Sequence, residues 1–181
     1  MEDPEDRRAW QGLRASYEYM AKSWREWTDE QPGYDLPVRE GLRRARPAPW
    51  AVEICCGTGE ATAAIAEVVP TVTACDLNPE MLRRRAGTPH GVQWMVADVR
   101  SLPFDNGQVP LVVSLNGVFY PAELARVLVP GGQLLWCTSF GEGTPLYVSP
   151  ERMHQMLGPQ WGAENGRAGH GQWALFTAPA A

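Results

Sequence analysis

Lysine is almost missing from this chain of 181 residues: of 16 basic side chains, only Lys22 is lysine. Basic excess is missing too. With 21 acidic residues the formal net charge is −5, so the chain has no basic footprint of the kind that displaces counterions from a nucleic acid, and no nucleic-acid partner is expected. The local arginine clusters (Arg39, Arg43, Arg44, Arg46, and Arg83 to Arg85) read as solvated helix faces. No apolar run approaches the about 18 residues that a membrane span requires, so no membrane partner is expected. The opening Met1-Glu2-Asp3-Pro4-Glu5-Asp6 is acidic. A secretory signal begins basic and then turns apolar, so the expectation is a cytoplasmic protein. Cysteine is sparse: Cys55, Cys56, Cys75 and Cys137 include no C-x-x-C pair, so no zinc site is expected. All four sit in or beside apolar runs and read as reduced thiols packing as small hydrophobes.

What is present is ordinary globular material, 44% hydrophobic and 20% charged, at a length that suits one domain. Trp10, Leu13, Tyr17, Met20, Trp24 and Trp27 recur at steps of three and four, which predicts one helix with an aromatic face, ended by Gln31-Pro32-Gly33. Residues 1–33 are therefore set apart as a lid helix over a domain of residues 34–181. Residues 34–49, rich in Pro and Arg, read as a connector with room for a short helix. From residue 50 strands and helices alternate. Strands are predicted over 50–55, 71–75, 91–97, 111–115 and 133–138, and helices over 60–69, 78–85, 122–128 and 150–157. Two closing strands, 161–164 and 173–177, flank a Gly-rich turn at 166–171, and Pro130-Gly131-Gly132 reads as another turn. Near-continuous apolar strands separated by helices predict an α/β fold: a doubly wound, Rossmann-like, mostly parallel sheet with an antiparallel C-terminal hairpin.

Ligands of such sheets bind beyond the carboxyl ends of the strands, and those ends carry a distinct set of residues. The first strand runs into Cys56-Gly57-Thr58-Gly59, a bend that brings backbone N–H groups close to a ligand at a helix start. The second ends in Asp76, whose carboxylate can accept from both hydroxyls of a ribose. The third ends in Asp98-Val99, an acceptor for an exocyclic amine beside an apolar cover. The fourth ends in Ser114-Leu115-Asn116-Gly117. The strict dinucleotide fingerprint fails, because its third glycine position is Thr62.

The strings Val52-Glu53-Ile54-Cys55-Cys56-Gly57-Thr58-Gly59, Cys75-Asp76-Leu77-Asn78-Pro79-Glu80-Met81-Leu82, Ala97-Asp98-Val99 with Leu102-Pro103-Phe104, and Leu124 to Gly132 together resemble the successive motifs of class I S-adenosylmethionine-dependent methyltransferases. The likeness runs from about residue 50 to 138 and is strongest to the subgroup that includes the ubiquinone and menaquinone methyltransferases. The resemblance implies S-adenosyl-L-methionine as cofactor. It implies that Glu53, Gly57 and Gly59, with Thr58, surround the methionine part. Asp76 would hold the ribose hydroxyls, and Leu77 and Met81 would flank the adenine. Asp98 would accept from the adenine amine and Val99 would pack on the ring. Tyr17 would face the methionine carboxylate, and Ser114 completes the cofactor set. Trp24, Trp27, Asn116, Phe119 and Tyr120 would form the face for a small, flat or apolar acceptor molecule.

Three departures accompany the likeness. Cys55 stands at the usual first glycine of the loop, Val109-Pro110 replaces an aspartate that usually opens the fourth strand, and the segment after the fifth strand is short, about residues 139–149. The pocket roof must then come mainly from the N-terminal helix. His90, His154 and His170 each read as exposed polar residues, and no general base is nominated. Three other functions stay open: a cofactor-binding relative without turnover, a methyltransferase acting on RNA or protein, and a nicotinamide oxidoreductase. Oligomeric state and the methylated element are not assigned.

Overall fold

The computed structural model describes residues 11–12, 15–17, 19–85 and 87–180. Seven strands form one sheet in the order β3-β2-β1-β4-β5-β7-β6. β1 (Ala51–Ile54), β2 (Val72–Asp76), β3 (Val92–Val96), β4 (Val109–Leu115) and β5 (Leu128–Thr138) run parallel. β7 (Gly171–Thr177) is antiparallel to β5, and β6 (Gly162–Ala168) is antiparallel to β7. This is the expected doubly wound sheet with its antiparallel end. The order reverses between β1 and β4, so their carboxyl ends flank the crevice where such sheets bind ligands.

Alternation along the strands gives each face of the sheet its own core. Ala51, Val72, Ala74, Val113, Leu135, Cys137 and Leu175 point to one face, where Val38 and Ile65 cover them. Val52, Ile54, Val112, Leu134, Trp136 and Phe176 point to the other, under Leu124, Val127, Met153 and Leu157. The covering helices follow from local chemistry. α4 (Pro79–Arg83) starts where the Asn78 side chain accepts the Glu80 N–H at 2.8 Å, with Pro at the first turn. α6 (Pro150–Leu157) starts the same way behind Ser149 and stops at Gly158. α5 (Pro121–Val127) also opens on proline, and α3 (Thr62–Ala66) follows the glycine bend.

Several sequence expectations are corrected. The single N-terminal helix is interrupted: residues 11–12, 15–17 and 19–20 are helical, 21–23 form a turn, and α1 (Trp24–Asp29) resumes on a new course. Trp10 and Leu13 lie outside the described residues. Tertiary aromatic packing competes with the continuous helix there, since Trp27 meets Tyr34 at 6.1 Å and Phe140 at 5.9 Å between ring centroids. The short helix for which the connector over 34–49 has room is present, as α2 (Leu36–Arg44), nine residues long. Its proline falls in the first turn, where no N–H is needed, and its arginines pair with Asp35, Glu40 and Glu67. Pro130-Gly131-Gly132 is a bulge inside β5: Val109 pairs with Leu128 and Leu111 with Gln133. The Gly-rich tract is mostly strand, and the hairpin turns only through Gly169-His170. Gly166 is needed there for close approach, since a Cβ at that position would meet the Trp173 ring at 2.8 Å.

Candidate functional site

Beyond the carboxyl ends of β1 to β4 lies a cavity with about 940 Å³ of empty space, part of it open solvent at the mouth. Its floor is the strand ends and its roof is the N-terminal segment. Glu53, Gly57, Asp76, Leu77, Met81, Asp98 and Val99 line it, as the sequence reading places them, and Tyr17, Trp24 and Asn116 line it from the roof and far wall. Two further lining residues, Tyr34 and Glu60, carry no local signal that would mark them. Tyr34 falls outside the aromatic periodicity, behind Pro32-Gly33, and Glu60 reads as an ordinary helix-opening acid. Among the described lining residues there is no lysine, arginine or histidine.

The other named residues stand elsewhere. Ser114 is wholly buried beneath the floor, its hydroxyl donating to the Ile54 carbonyl at 3.3 Å. Thr58 is buried and donates its hydroxyl to Glu60, and Gly59 faces the Trp94 ring. Neither residue is on the cavity wall. Trp27 packs edge-on to Tyr34 and also meets Phe140. Phe119 meets Trp136 edge-on, and Tyr120 is exposed. These three side chains are off the cavity lining. Phe119 packs against the core, while Trp27 and Tyr120 are partly exposed.

The glycine bend is held by the acid of the next strand. Asp76 accepts the Gly57 N–H at 2.9 Å through one carboxylate oxygen and the Asn78 N–H at 2.8 Å through the other. Burial raises its carboxyl above the usual range, and the two N–H donors oppose that rise. Each oxygen keeps a second lone pair for a ligand hydroxyl. Cys55 sits in the left-handed region at φ 53° in place of a glycine. Gly117 makes room for it: a Cβ at Gly117 would meet Ser114 Oγ at 2.2 Å and Cys55 Cβ at 3.3 Å. Burial pushes the Cys55 thiol up to about 12, so it stays neutral.

Glu53 is fully buried, and that burial pushes its carboxyl up to about 8 despite a 2.5 Å hydrogen bond from the Thr62 hydroxyl. Glu60 is also raised by burial, while donors from Thr58 and Thr28 favour its ionised form. Asp98 differs. Burial works against its charge, but Arg100, which reaches it at 2.7 Å, outweighs burial and holds the carboxyl below the usual range. A ligand bringing a positive charge and hydroxyls would offset the burial that raises Glu53, Glu60 and Asp76, with the apolar Leu77, Met81 and Val99 available to a flat ring. No group of three or more His, Cys, Asp or Glu among the described residues is arranged to hold a metal ion. No helix among them is long and apolar enough to cross a membrane.

Comparison with known proteins agrees with this geometry. Residues 51–132 match a family described as a methyltransferase domain. The chain is 34% identical over 105 residues to the demethylmenaquinone methyltransferase of Clavibacter sepedonicus, covering 52% of this chain and 43% of that protein. It is 30% identical over 143 residues to the ubiquinone/menaquinone biosynthesis C-methyltransferase UbiE of Ectopseudomonas mendocina, covering 70% of this chain and 52% of that one. The chain thus spans about half the length of the curated relatives it matches. Among solved structures it is similar in fold to the N-methyltransferase NodS of Bradyrhizobium japonicum in complex with S-adenosyl-L-homocysteine. That match has a TM-score of 0.72 and 16% identity, covering 92% of this chain and 98% of the other. It is also similar to a chain in the complex of the Haloferax volcanii Trm112 methyltransferase activator with a methyltransferase. There the TM-score is 0.74 at 16% identity, covering 90% and 97%.

Proposed function

We propose that this chain, whose residues 51–132 match a methyltransferase domain family, is a class I S-adenosylmethionine-dependent methyltransferase that transfers a methyl group from S-adenosyl-L-methionine to a small, flat or apolar acceptor. The observation that carries the reading is the acid-lined cavity at the β1/β4 switch point, with no basic side chain among its described lining residues. Glu53 and the Gly57 bend are placed to hold the methionine part, with Tyr17 above. Asp76 is placed to take the ribose hydroxyls. Leu77, Met81 and Val99 are placed around the adenine, with Asp98 at its amine. In this reading residues 1–33 serve as a lid on the domain of residues 34–181, and Trp24 and Asn116 face the acceptor.

When bound, the cofactor supplies a sulfonium-activated methyl group. The chain's own contribution is alignment and exclusion of water. Fixed strand ends on one side and aromatic side chains on the other hold two reactants in register, an effect worth about 7–11 kcal/mol in well-oriented systems. Negative charge on the cavity acids would favour binding of the cationic cofactor, not the transfer step itself, in which the sulfur loses its charge. His90, His154 and His170 lie off the cavity lining, so no imidazole serves as a base in this account. The relatives named for quinone methylation support a ring-bearing acceptor. The test is transfer of isotope-labelled methyl from S-adenosylmethionine to a panel of small molecules, read by mass. Labelled hydroxylated bicyclic aromatics are the expected result. Label only on RNA or on proteins, or transfer restricted to charged non-aromatic compounds, would overturn it.

A further inference from the structure

Asn116 was expected to touch the acceptor directly. The structure gives its amide other partners. Its Oδ1 accepts the Ser139 backbone N–H at 2.8 Å. Because a backbone N–H can only donate, this bond fixes which end of the amide is oxygen. The Nδ2 end therefore donates, to the Tyr34 hydroxyl at 2.7 Å and to Ser139 Oγ at 3.0 Å. Ser139 Oγ in turn donates to the Tyr34 carbonyl at 3.1 Å. Three elements distant in sequence, the segment before α2, the end of β4 and the end of β5, are joined through one buried cluster. Asn116 takes the left-handed conformation at φ 58° to make these bonds. Asparagine tolerates that region better than most residues.

The hydrogen-bond directions leave the Tyr34 proton two outlets. The Tyr34 hydroxyl receives Asn116's hydrogen on a lone pair, so its own hydrogen goes either to the second lone pair of Ser139 Oγ or to a ligand atom in the cavity. Tyr34 lines the cavity, as do Trp24 and the acids Glu53, Glu60, Asp76 and Asp98. Its environment also keeps that proton in place: burial first, then the negative charge of Glu60, push the phenol up to about 12.

We propose that Tyr34 is the acceptor-orienting residue, donating a hydrogen bond to a hydroxyl oxygen carried on the flat ring of the acceptor, and that Asn116 is its positioning residue. This rests on the methyltransferase reading and adds the polar group by which the acceptor is recognised. Tyr34 keeps its proton throughout. The hydrogen bond fixes the ring in its plane and disfavours an acceptor that lacks the hydroxyl. The acids of the cavity add a second criterion, because they disfavour an acceptor bearing a carboxylate.

The test uses the full chain saturated with S-adenosylhomocysteine and compares the affinities of 2-naphthol and naphthalene, which differ only in the hydroxyl. Tyr34→Phe is expected to lower the naphthol-over-naphthalene affinity ratio about tenfold, the scale of one neutral hydrogen bond. Affinity for S-adenosylhomocysteine should stay within about twofold, the range of a change that touches no cofactor contact. Asn116→Asp separates positioning from scaffolding. It still accepts the Ser139 N–H and tolerates the left-handed backbone, but it can donate neither to Tyr34 nor to Ser139 Oγ. It is expected to lose most of the hydroxyl preference without loss of melting temperature. A merely structural Asn116 would instead be rescued by aspartate. An unchanged ratio in Tyr34→Phe, or binding of neither probe to the wild type, would overturn the proposal while leaving the cofactor reading intact. Failure of S-adenosylhomocysteine to bind the wild type would overturn both.

Discussion

On the floor of the cavity the polar groups are tied to strand ends: Asp76 clamps Gly57 and Asn78, Glu53 is held by Thr62, and Asp98 is held by Arg100. On the roof the side chains come from a segment broken by the turn at 21–23, and they meet one another mainly through aromatic rings. The floor is therefore set by sheet register and hydrogen bonds, and the roof by apolar packing against a surface. Directional bonds on a rigid sheet suit a constant ligand with a fixed pattern of donors. Ring contacts, which tolerate sliding and tilt, suit a surface on which acceptors can be exchanged. Substitutions on the floor should then act on cofactor affinity and on pH response, and substitutions on the roof on the acceptor.

The largest expected effect is on the floor. The folded-state carboxyl of Glu53 is raised to about 8 from 4.5. Its native state binds a proton more tightly than the unfolded chain, so its contribution to stability is fully present below about pH 4.5 and is lost as pH rises through about 8. The whole effect amounts to up to about 5 kcal/mol. Denaturation of the free protein between pH 5 and 8 should show stability falling over that interval, and Glu53→Gln should flatten the slope. An equally steep slope in the variant would remove Glu53 from the account.

Next comes Asp76→Ala. It removes the acceptor for two backbone N–H groups and for a ribose, and should weaken S-adenosylhomocysteine binding by about 1.5–3 kcal/mol in calorimetry. A folded variant with unchanged affinity would break the contrast between the walls. On the roof, Trp24→Leu should weaken a flat aromatic acceptor by about 1 kcal/mol, the worth of an aromatic contact, while moving cofactor affinity by less. If cofactor affinity fell more than acceptor affinity, the roof would belong to the floor's function. The smallest effect is expected from Tyr120→Ala: exposed and off both walls, it should change either affinity by less than about 0.5 kcal/mol.

The same contrast explains what could be read from the residues alone. Strand ends are legible because a strand's direction and period fix where its last residue points. Asp76, Asp98 and the Gly57 bend could be placed from spacing and are found together on the cavity. The Asn78 cap and Pro79 start are equally local, and the structure keeps them. The roof depends on contacts between residues far apart in the chain. The 3,4 spacing of the aromatic stripe is genuine, yet tertiary packing turns the chain at 21–23 and sends Trp27 to Tyr34 and Phe140. Tyr34 and Asn116 lie 82 positions apart, and no local pattern links them. Ser114 illustrates the limit at the floor, where knowing that a strand ends at the site does not reveal which of two faces each residue occupies.

The most direct measurement is a calorimetric titration of the full chain at pH 7 with S-adenosylhomocysteine and, in parallel, with NAD. The account expects saturable binding of the former at one site per chain and no measurable binding of the latter. Absence of heat with S-adenosylhomocysteine, or tighter binding of NAD, would contradict it.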